Sequence, residues 1–283
     1  MNILALGTAA CRLANSLEKF DQYSIKYIDA TNEGYKPFIK ISAQKTHEEY
    51  EKNYKNIKLA NIKGPVVFIL SGAEPISGAC LRILEQLRKV NLIEDITILY
   101  IKSDPSSLSK EARMQERITF GVLQEYTRSD MFEKMFVVDN VEIEKILDNN
   151  LSIQSYWEDI NNVICSVYHM LNVFQNTEPL LTAESSLPVS AKIGTFGVVN
   201  YDSKKEKLFY DLKMARCKRY YFGINEQTLN ENKGLLHDIR AFVASQADEN
   251  TEVSFSIHST EYEENYIYSI HYASLVQEQK EID

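Results

Sequence analysis

The chain has 283 residues, of which 40 are acidic and 31 are basic, so its formal net charge at neutral pH is −9. The acidic side chains are spread along the chain and leave no basic face, which argues against direct binding of nucleic acid. No apolar run is long enough to cross a membrane, and the four cysteines stand apart without CxxC pairs. We therefore expect a cytoplasmic protein with no membrane partner, no metal site and no disulfide framework.

Strands and helices alternate through the first half of the chain. Short apolar, β-branched runs predict the strands, and apolar residues three or four positions apart predict the helices between them. The predicted strands are 2–6, 23–29, 66–70, 96–101 and 135–138, and the predicted helices are 11–20, 79–90 and 110–126. This order predicts the α/β class, with a Rossmann-like parallel sheet covered by helices on both faces.

The second half of the chain begins with a long predicted helix over 155–174 and then changes pattern. The later predicted elements are strands at 193–201, 207–212 and 219–224, a helix at 230–245, and strands at 253–259 and 266–273. The last two strands flank a short acidic turn, which predicts a hairpin. We expect an α/β domain at 1–154, a connecting helix at 155–176, an α+β domain at 177–274 and a short acidic tail at 275–283.

The stretch FILSGAEPISGAC, residues 68–80, raises the question of phosphate binding. A strand that turns through glycines into a helix is typical of phosphate loops, because the first helical N–H groups point at the anion. Here, however, Pro75 removes one N–H donor, and Glu74 would bring a carboxylate toward a phosphate. At ~4 Å such charges repel by about 4 kcal/mol at an intermediate effective dielectric. An altered phosphate loop and a plain structural turn both remain open.

The order of elements and several motifs resemble the tubulin/FtsZ superfamily over nearly the whole chain. The first loop and helix, ILALGTAACRLANSL, the start of the long helix, SYWEDINNVI, and the later stretch RYYFGINEQTLNENKGLLHDIRAFV carry the resemblance. The chain is similar to a compact, divergent FtsZ or TubZ, of a size seen among phage and plasmid versions. The resemblance implies a nucleotide-binding domain, a central helix and a C-terminal domain, in a cytoskeletal protein that forms filaments with itself.

The resemblance also implies a guanine-nucleotide site, with GTP or GDP as ligand and Mg²⁺ as a possible companion. Its phosphate end would be formed by two loops, and its base end by an aromatic ring and an amide on one face of the central helix. The implied residues are Gly7, Thr8, Ala9, Arg12, Gly72, Ser77, Gly78, Trp157 and Asn161. Each also has a purely structural interpretation: a helix turn for the loops, a core anchor for Trp157 and a surface polar residue for Asn161.

The hydrolytic motif of the superfamily is the poorest match. Polymerising members carry NxDxxD after the central helix, where the acids orient the attacking water of the next subunit. This chain has Asn176 and Glu178, but Leu181 stands at the last acid, and Glu184 is a surrogate three residues later. Glu178 and Glu184 are therefore the catalytic candidates, in at most a weak GTPase.

Two main hypotheses remain. The first is a filament-forming protein with weak or altered GTP binding and impaired hydrolysis. The second is a nucleotide-free pseudo-GTPase that acts as a structural or adaptor protein for another protein. A third class, an unrelated small-molecule enzyme, has no visible Ser–His–Asp, Cys–His or metal constellation to support it.

Overall fold

The computed structural model describes residues 1–31, 34–59, 62–90, 93, 95–147, 151–183 and 188–274. The chain divides into two compact units, the first over Met1–Cys165 and the second beginning at Ser166. The division falls inside the long helix, and the domain boundaries expected from the sequence stay a prediction. The expected acidic tail at 275–283 lies outside the described residues.

A parallel sheet forms the centre of the first unit. Its strands are β1 (Asn2–Leu6), β2 (Ser24–Asp29), β3 (Phe38–Lys40), β4 (Val66–Ser71), β5 (Ile96–Lys102) and β6 (Lys134–Asp139). They lie in the order β3-β2-β1-β4-β5-β6, and every neighbouring pair is parallel. The predicted α/β class with a parallel sheet is confirmed. The edge strand β3 was not predicted, because its three residues carry too little pattern.

The central strands β1, β4, β5 and β6 are buried on both faces, as expected for a parallel sheet with helices on both sides. All six residues of β4 are buried, which explains why VVFILS reads as a continuous apolar run rather than an alternating one. The helices are α1 (Thr8–Leu17), α2 (His47–Lys52), α3 (Cys80–Arg88), α4 (Lys110–Arg128), α5 (Asn140–Ile146) and α6 (Tyr156–Gln175), the last of which continues into the second unit.

Three helices of the first unit, α2, α4 and α5, begin at a side chain that caps them. Thr46, Ser109 and Asp139 each accept a hydrogen bond from a backbone N–H in the first turn of α2, α4 and α5. Helix α1 differs, because its N-cap residue is Gly7, which has no side chain to offer. The N–H groups of α1 therefore need a partner from elsewhere in the fold.

The second unit combines a mixed sheet with two helices. Its elements are β7 (Leu181–Ala183), β8 (Ile193–Val199), β9 (Glu206–Leu208), β10 (Cys217–Asn225), α7 (Glu226–Glu231), α8 (Leu235–Ser245), β11 (Glu252–Thr260) and β12 (Tyr266–Ala273). The strand order is β8-β12-β10-β11-β7, and β9 pairs with the other edge of β8. This agrees with the α+β character predicted for this half.

Two local predictions for the second unit are wrong. The strands β11 and β12 do not form a hairpin, because β10 lies between them, parallel to β11 and antiparallel to β12. The helix predicted at 230–245 begins five residues later, as α8, and a separate short helix, α7, precedes it. Asn225 caps α7 through the Thr228 N–H at 2.7 Å, and the chain turns at Asn232–Gly234 before α8 begins. Of the described helices, none is long and apolar enough to span a membrane.

Glycine 78 allows close packing between α2 and the 3-10 turn at Pro75–Ala79. A Cβ added to Gly78 would lie 2.0 Å from the His47 carbonyl oxygen, whereas a Cβ on Gly121 of α4 would meet no atom within 4 Å. We predict that Gly78→Ala lowers the free energy of unfolding by about 1–3 kcal/mol through overpacking. The matched control Gly121→Ala should raise it by about 1 kcal/mol through helix propensity.

Urea unfolding followed by circular dichroism, at a protein concentration low enough to keep the chain monomeric, compares the two variants. Equal effects of the two substitutions would contradict the packing role of Gly78.

Candidate functional site

The carboxyl ends of the central strands of the first unit form the candidate site. In parallel sheets this edge is where ligands bind, because helices begin there and their N–H groups point outward. Strand β1 ends directly before Gly7, β2 ends at Asp29, and β4 ends at Ser71. Helix α1 therefore starts at this edge, beside the turn that follows β4.

The N-terminus of α1 is capped by a carboxylate from the turn after β4. Glu74 Oε2 accepts a hydrogen bond from the Thr8 N–H at 2.7 Å, and Glu74 Oε1 accepts one from the Ala9 N–H at 2.8 Å. A negative charge at this end also interacts favourably with the helix dipole. The Glu74 carboxylate thus makes the contacts that a bound phosphate would make at the same helix end.

The turn that carries Glu74 is held in place by its own polar groups. Pro75 opens the 3-10 turn with its φ angle already suited to helix, and the Ser77 N–H donates to the Glu74 carbonyl at 2.9 Å. The Ser77 hydroxyl donates to the Gly72 carbonyl at 3.0 Å. From α4, the Gln115 amide donates to the Gly72 carbonyl at 3.0 Å and to the Glu74 carbonyl at 2.7 Å.

The glycines of the two loops are explained by contacts within the chain. Gly7 has a φ of 87°, and a Cβ on it would lie 2.4 Å from Glu74 Oε2, so only glycine leaves room for the carboxylate. Gly72 has the same role against a side chain, since its Cβ would lie 2.1 Å from the Tyr100 hydroxyl oxygen. The two glycines therefore leave room for Glu74 and Tyr100 to pack against the loops.

The charges around Glu74 are mixed. Burial raises the pKa of Glu74 above its ordinary value, while the Ala9 and Thr8 N–H groups lower it; Asp29 raises it further, and Arg12 lowers it. Asp29 is buried and accepts a hydrogen bond from the Thr8 hydroxyl at 3.1 Å. Two carboxylates therefore stand at the α1 N-terminus, which is unfavourable for a further anion.

The structure brings together part of the predicted phosphate end. Gly7, Thr8 and Ala9 meet the Glu74 turn directly, and the exposed Arg12 acts on Glu74 through its charge. Gly72, Ser77 and Gly78 hold the turn itself, through the contacts given above. Nucleotide binding by these residues stays a prediction.

The predicted base end lies on the first turns of α6. The Trp157 side chain is 49% exposed, with the Tyr156 ring packed edge-on at 4.9 Å between centroids. Asn161, one turn later, is buried. Trp157 is therefore not a core anchor, and Asn161 is not a surface residue, so the structural interpretation of each is wrong. Their contact with a base stays a prediction.

The predicted catalytic acids belong to a different part of the chain. Glu178 is exposed in the second unit, on the segment between α6 and β7, and Leu181 forms part of β7, paired with Ile257. Glu184 lies outside the described residues. A catalytic role for either acid stays a prediction.

A second charged cluster at this edge was missed from the sequence. Burial lowers the pKa of Lys102, at the end of β5, although Glu116 and Asp139 act in the opposite direction. Burial raises the pKa of Glu116 and of Asp139, and Lys102 opposes both shifts. The Ser103 N–H also donates to Glu116 at 3.2 Å. The sequence signal was a lysine in an otherwise apolar strand, ITILYIK.

Comparison with solved structures gives the fold a name. CetZ1 from Haloferax volcanii, a GDP-bound monomer, matches with a TM-score of 0.69 and 12% identity, over 97% of this chain and 94% of that one. This chain and CetZ1 share the tubulin/FtsZ fold. An empty FtsZ dimer of M. jannaschii matches at 0.64 and 12% identity, over 96% and 87% of the two chains. A GTPγS-form protofilament of TubZ from Bacillus thuringiensis serovar israelensis matches at 0.65 and 11%, over 98% and 87%.

At these identities the likeness shows the fold of the chain. No protein-family model and no curated protein matches the chain. The predicted tubulin/FtsZ fold is confirmed.

A nucleotide phosphate does not fit the tubulin/FtsZ-type loops as they stand. The Thr8 and Ala9 N–H groups are already bonded to Glu74, and the Thr8 hydroxyl is bonded to Asp29. Pro75 has no N–H to offer. A phosphate could enter only if the Glu74 side chain left the α1 N-terminus.

The raised pKa of Glu74 predicts a pH dependence of stability. A carboxyl group whose pKa is higher in the folded state stabilises the fold below its unfolded pKa, and this contribution is lost as the pH rises through the folded pKa. We predict that the free energy of unfolding falls less steeply in Glu74→Gln than in the wild type as pH rises from the ordinary glutamate range toward neutral. Denaturant unfolding at a series of pH values measures both slopes.

The control is Glu249→Gln, which makes the same change at an exposed glutamate of the second unit. Identical slopes in all three proteins would show that Glu74 does not titrate in the buried setting described here.

Proposed function

We propose that this protein is a tubulin-like assembly protein that works without a bound nucleotide. The observation that carries the proposal is the Glu74 carboxylate, which bonds both the Thr8 and the Ala9 N–H groups of α1. The Glu74 side chain thus accepts the hydrogen bonds that a phosphate would accept at this helix end. Of the two hypotheses drawn from the sequence, the geometry favours the nucleotide-free one.

The energetic argument concerns what a phosphate would have to replace. Entry would break two hydrogen bonds to a charged acceptor, each worth about 1.5–3 kcal/mol. It would also bring a polyanion beside Glu74 and Asp29, with Arg12 as the opposing charge. The turn cannot easily retreat, because Gln115 and Ser77 hold its carbonyl groups. Nucleotide binding is therefore opposed by both bonding and charge.

The likeness to assembled proteins supports self-association. Solved structures of this fold include protofilaments of CetZ2 and TubZ and a helical model of a two-stranded TubZ filament. We propose that this chain likewise forms a longitudinal homopolymer. In such a polymer, the closed Glu74 turn would keep the α1 end of the subunit in one conformation, without nucleotide. An adaptor role toward another protein is the alternative if the chain does not polymerise.

Assembly without nucleotide would also lack coupling to hydrolysis. Leu181, at the position of the last acid in the hydrolytic motif, cannot orient a water molecule, and it is engaged in β7. We propose that the protein has no efficient GTPase activity, so that the lifetime of its polymers would not depend on GTP hydrolysis.

One observation favours the other hypothesis, weak guanine-nucleotide binding. The half-exposed Trp157 ring at the start of α6 offers a face on which a base could stack. In this second candidate, Glu74 leaves the α1 N-terminus when GTP or GDP binds, with Mg²⁺ as a possible companion.

Isothermal titration of ligand-free protein with GTP, GDP and ATP in the presence of magnesium separates the two candidates. We expect the wild type to bind none of them with a Kd below about 1 mM. Glu74→Ala frees the Thr8 and Ala9 N–H groups and removes one negative charge, so it should bind GTP at least about tenfold more tightly than the wild type.

The double variant Glu74→Ala with Trp157→Ala should lose that gain if the base end is used. Micromolar GTP binding by the wild type, unimproved in Glu74→Ala, would contradict the proposal.

Sedimentation at high protein concentration tests assembly. We expect polymer to form to the same extent with GTP, with GDP and with neither, because the α1 N-terminus is already capped. Glu178→Gln should leave the extent and the lifetime of polymer unchanged. A strict monomer under every condition would remove the assembly proposal, and assembly that requires GTP would remove the nucleotide-free one.

A further inference from the structure

Helix α4 presents a second apolar face that stays exposed among the residues the structure describes. The helix packs on the rest of the first unit through Phe120 and Leu123, which are both buried. On its outer side Met114 is 62% exposed, Ile118 is 52% exposed and Tyr126 is 40% exposed. We define the α4 face as Met114, Arg117, Ile118, Gly121, Glu125 and Tyr126, which line an open depression of about 700 Å³. Exposed apolar side chains that share one helix face make this surface a candidate interaction site.

The spacing along the α4 face is that of a helix that pairs with another helix. Met114, Ile118, Gly121 and Glu125 follow one another at intervals of four, three and four residues, the repeat that places side chains along one helix–helix seam. A helix partner therefore fits this face better than a strand or a small molecule.

Gly121 is the least expected residue of the face. Glycine inside a helix costs about 1 kcal/mol relative to alanine. Among the described residues no contact requires glycine here, since a Cβ on Gly121 would meet no atom of theirs within 4 Å. A glycine at the middle of an exposed seam is explained if another helix backbone approaches closely there.

The charges of the face identify the partner. When two copies of α4 run antiparallel with a two-fold axis at Gly121, a residue four positions before the glycine faces the one four positions after it in the other copy. Arg117 then lies beside the partner's Glu125, and the same pair forms a second time on the other side of the axis. In a parallel pair, each of these charges would face its own kind.

We propose that two copies of this chain pair through their α4 faces, antiparallel, about a two-fold axis near Gly121. Glu125 already bonds Arg128 in its own helix at 3.0 Å, and in the dimer it bridges the two arginines. The interface goes beyond the proposed function, because it involves neither the Glu74 turn nor longitudinal assembly.

The dimer is expected to be weak. A helix of 19 residues is about 28 Å long, so one such contact buries less than a standard protein interface. We expect a dissociation constant in the micromolar range, measurable by sedimentation velocity over about 5–200 μM protein.

Charge exchange tests the pairing specifically. Arg117→Glu and Glu125→Arg should each weaken the dimer at least tenfold, because like charges then meet twice across the axis. The double variant restores opposite charges and should return the dissociation constant to within about threefold of the wild type. Arg240→Glu, the same change on the exposed side of α8, is the control and should leave the dimer intact.

A cysteine at the axis gives a second readout. The four native cysteines are all buried, so in Gly121→Cys the new thiol is the accessible one. With oxidised glutathione as electron acceptor, Gly121→Cys should form a disulfide-linked dimer faster than Ser203→Cys, which places a thiol on an exposed turn of the second unit.

Circular dichroism of every variant checks that the fold is kept. A wild type that stays monomeric over the whole range, or single charge variants that dimerise like the wild type, would overturn the proposal, as would a double variant that does not recover. Loss of this dimer with polymer formation intact overturns only the α4 pairing. Intact α4 pairing with no polymer overturns only the assembly proposal.

Discussion

The pair of hydrogen bonds from the Thr8 and Ala9 N–H groups to the Glu74 carboxylate is the constraint on which the candidate site depends. It supplies α1 with the cap that Gly7 cannot provide. It requires glycine at position 7, because any side chain there would meet the carboxylate. It also requires a fixed turn after β4, which Gln115 holds from α4. At a site that resembles a phosphate loop, the Thr8 and Ala9 N–H groups are thus hydrogen-bonded to a side chain of the same protein.

The same edge of the sheet shows how side chains of this fold satisfy exposed backbone N–H groups. Helix N-termini and strand ends expose unpaired N–H groups, and in this chain carboxylates meet many of them. Glu74 caps α1, Asp139 caps α5, and Glu116 accepts from the Ser103 N–H. The charge of Lys102 lowers the pKa of both Glu116 and Asp139 and so balances part of their negative charge. The α4 face lies apart from this network and depends on surface packing and charge instead.

The sequence was sufficient for most of the longer elements and for the α/β class, because apolar runs and helical spacing are local signals; the tubulin/FtsZ fold came from the resemblance of its motifs. It was insufficient where partners lie far apart in the chain. Sequence inspection recognised that Glu74 is an unusual charge, but not that its partners lie more than sixty residues earlier. Those partners are backbone N–H groups, which leave no signal in the sequence. For the same reason β11 and β12 were expected to pair, although β10 lies between them. The roles of Trp157, Asn161 and Glu178 stay predictions.

The most direct measurement is amide NMR of Thr8 and Ala9 in the wild type and in Glu74→Gln. If Glu74 caps α1, both amide protons should resonate far downfield and titrate together with the Glu74 carboxyl group. They should lose that titration in Glu74→Gln, and they should hardly move when GTP is added to the wild type. The account would be contradicted if the Thr8 and Ala9 amide resonances were unchanged in Glu74→Gln and yet shifted on addition of GTP. The α1 N-terminus would then be open to a nucleotide.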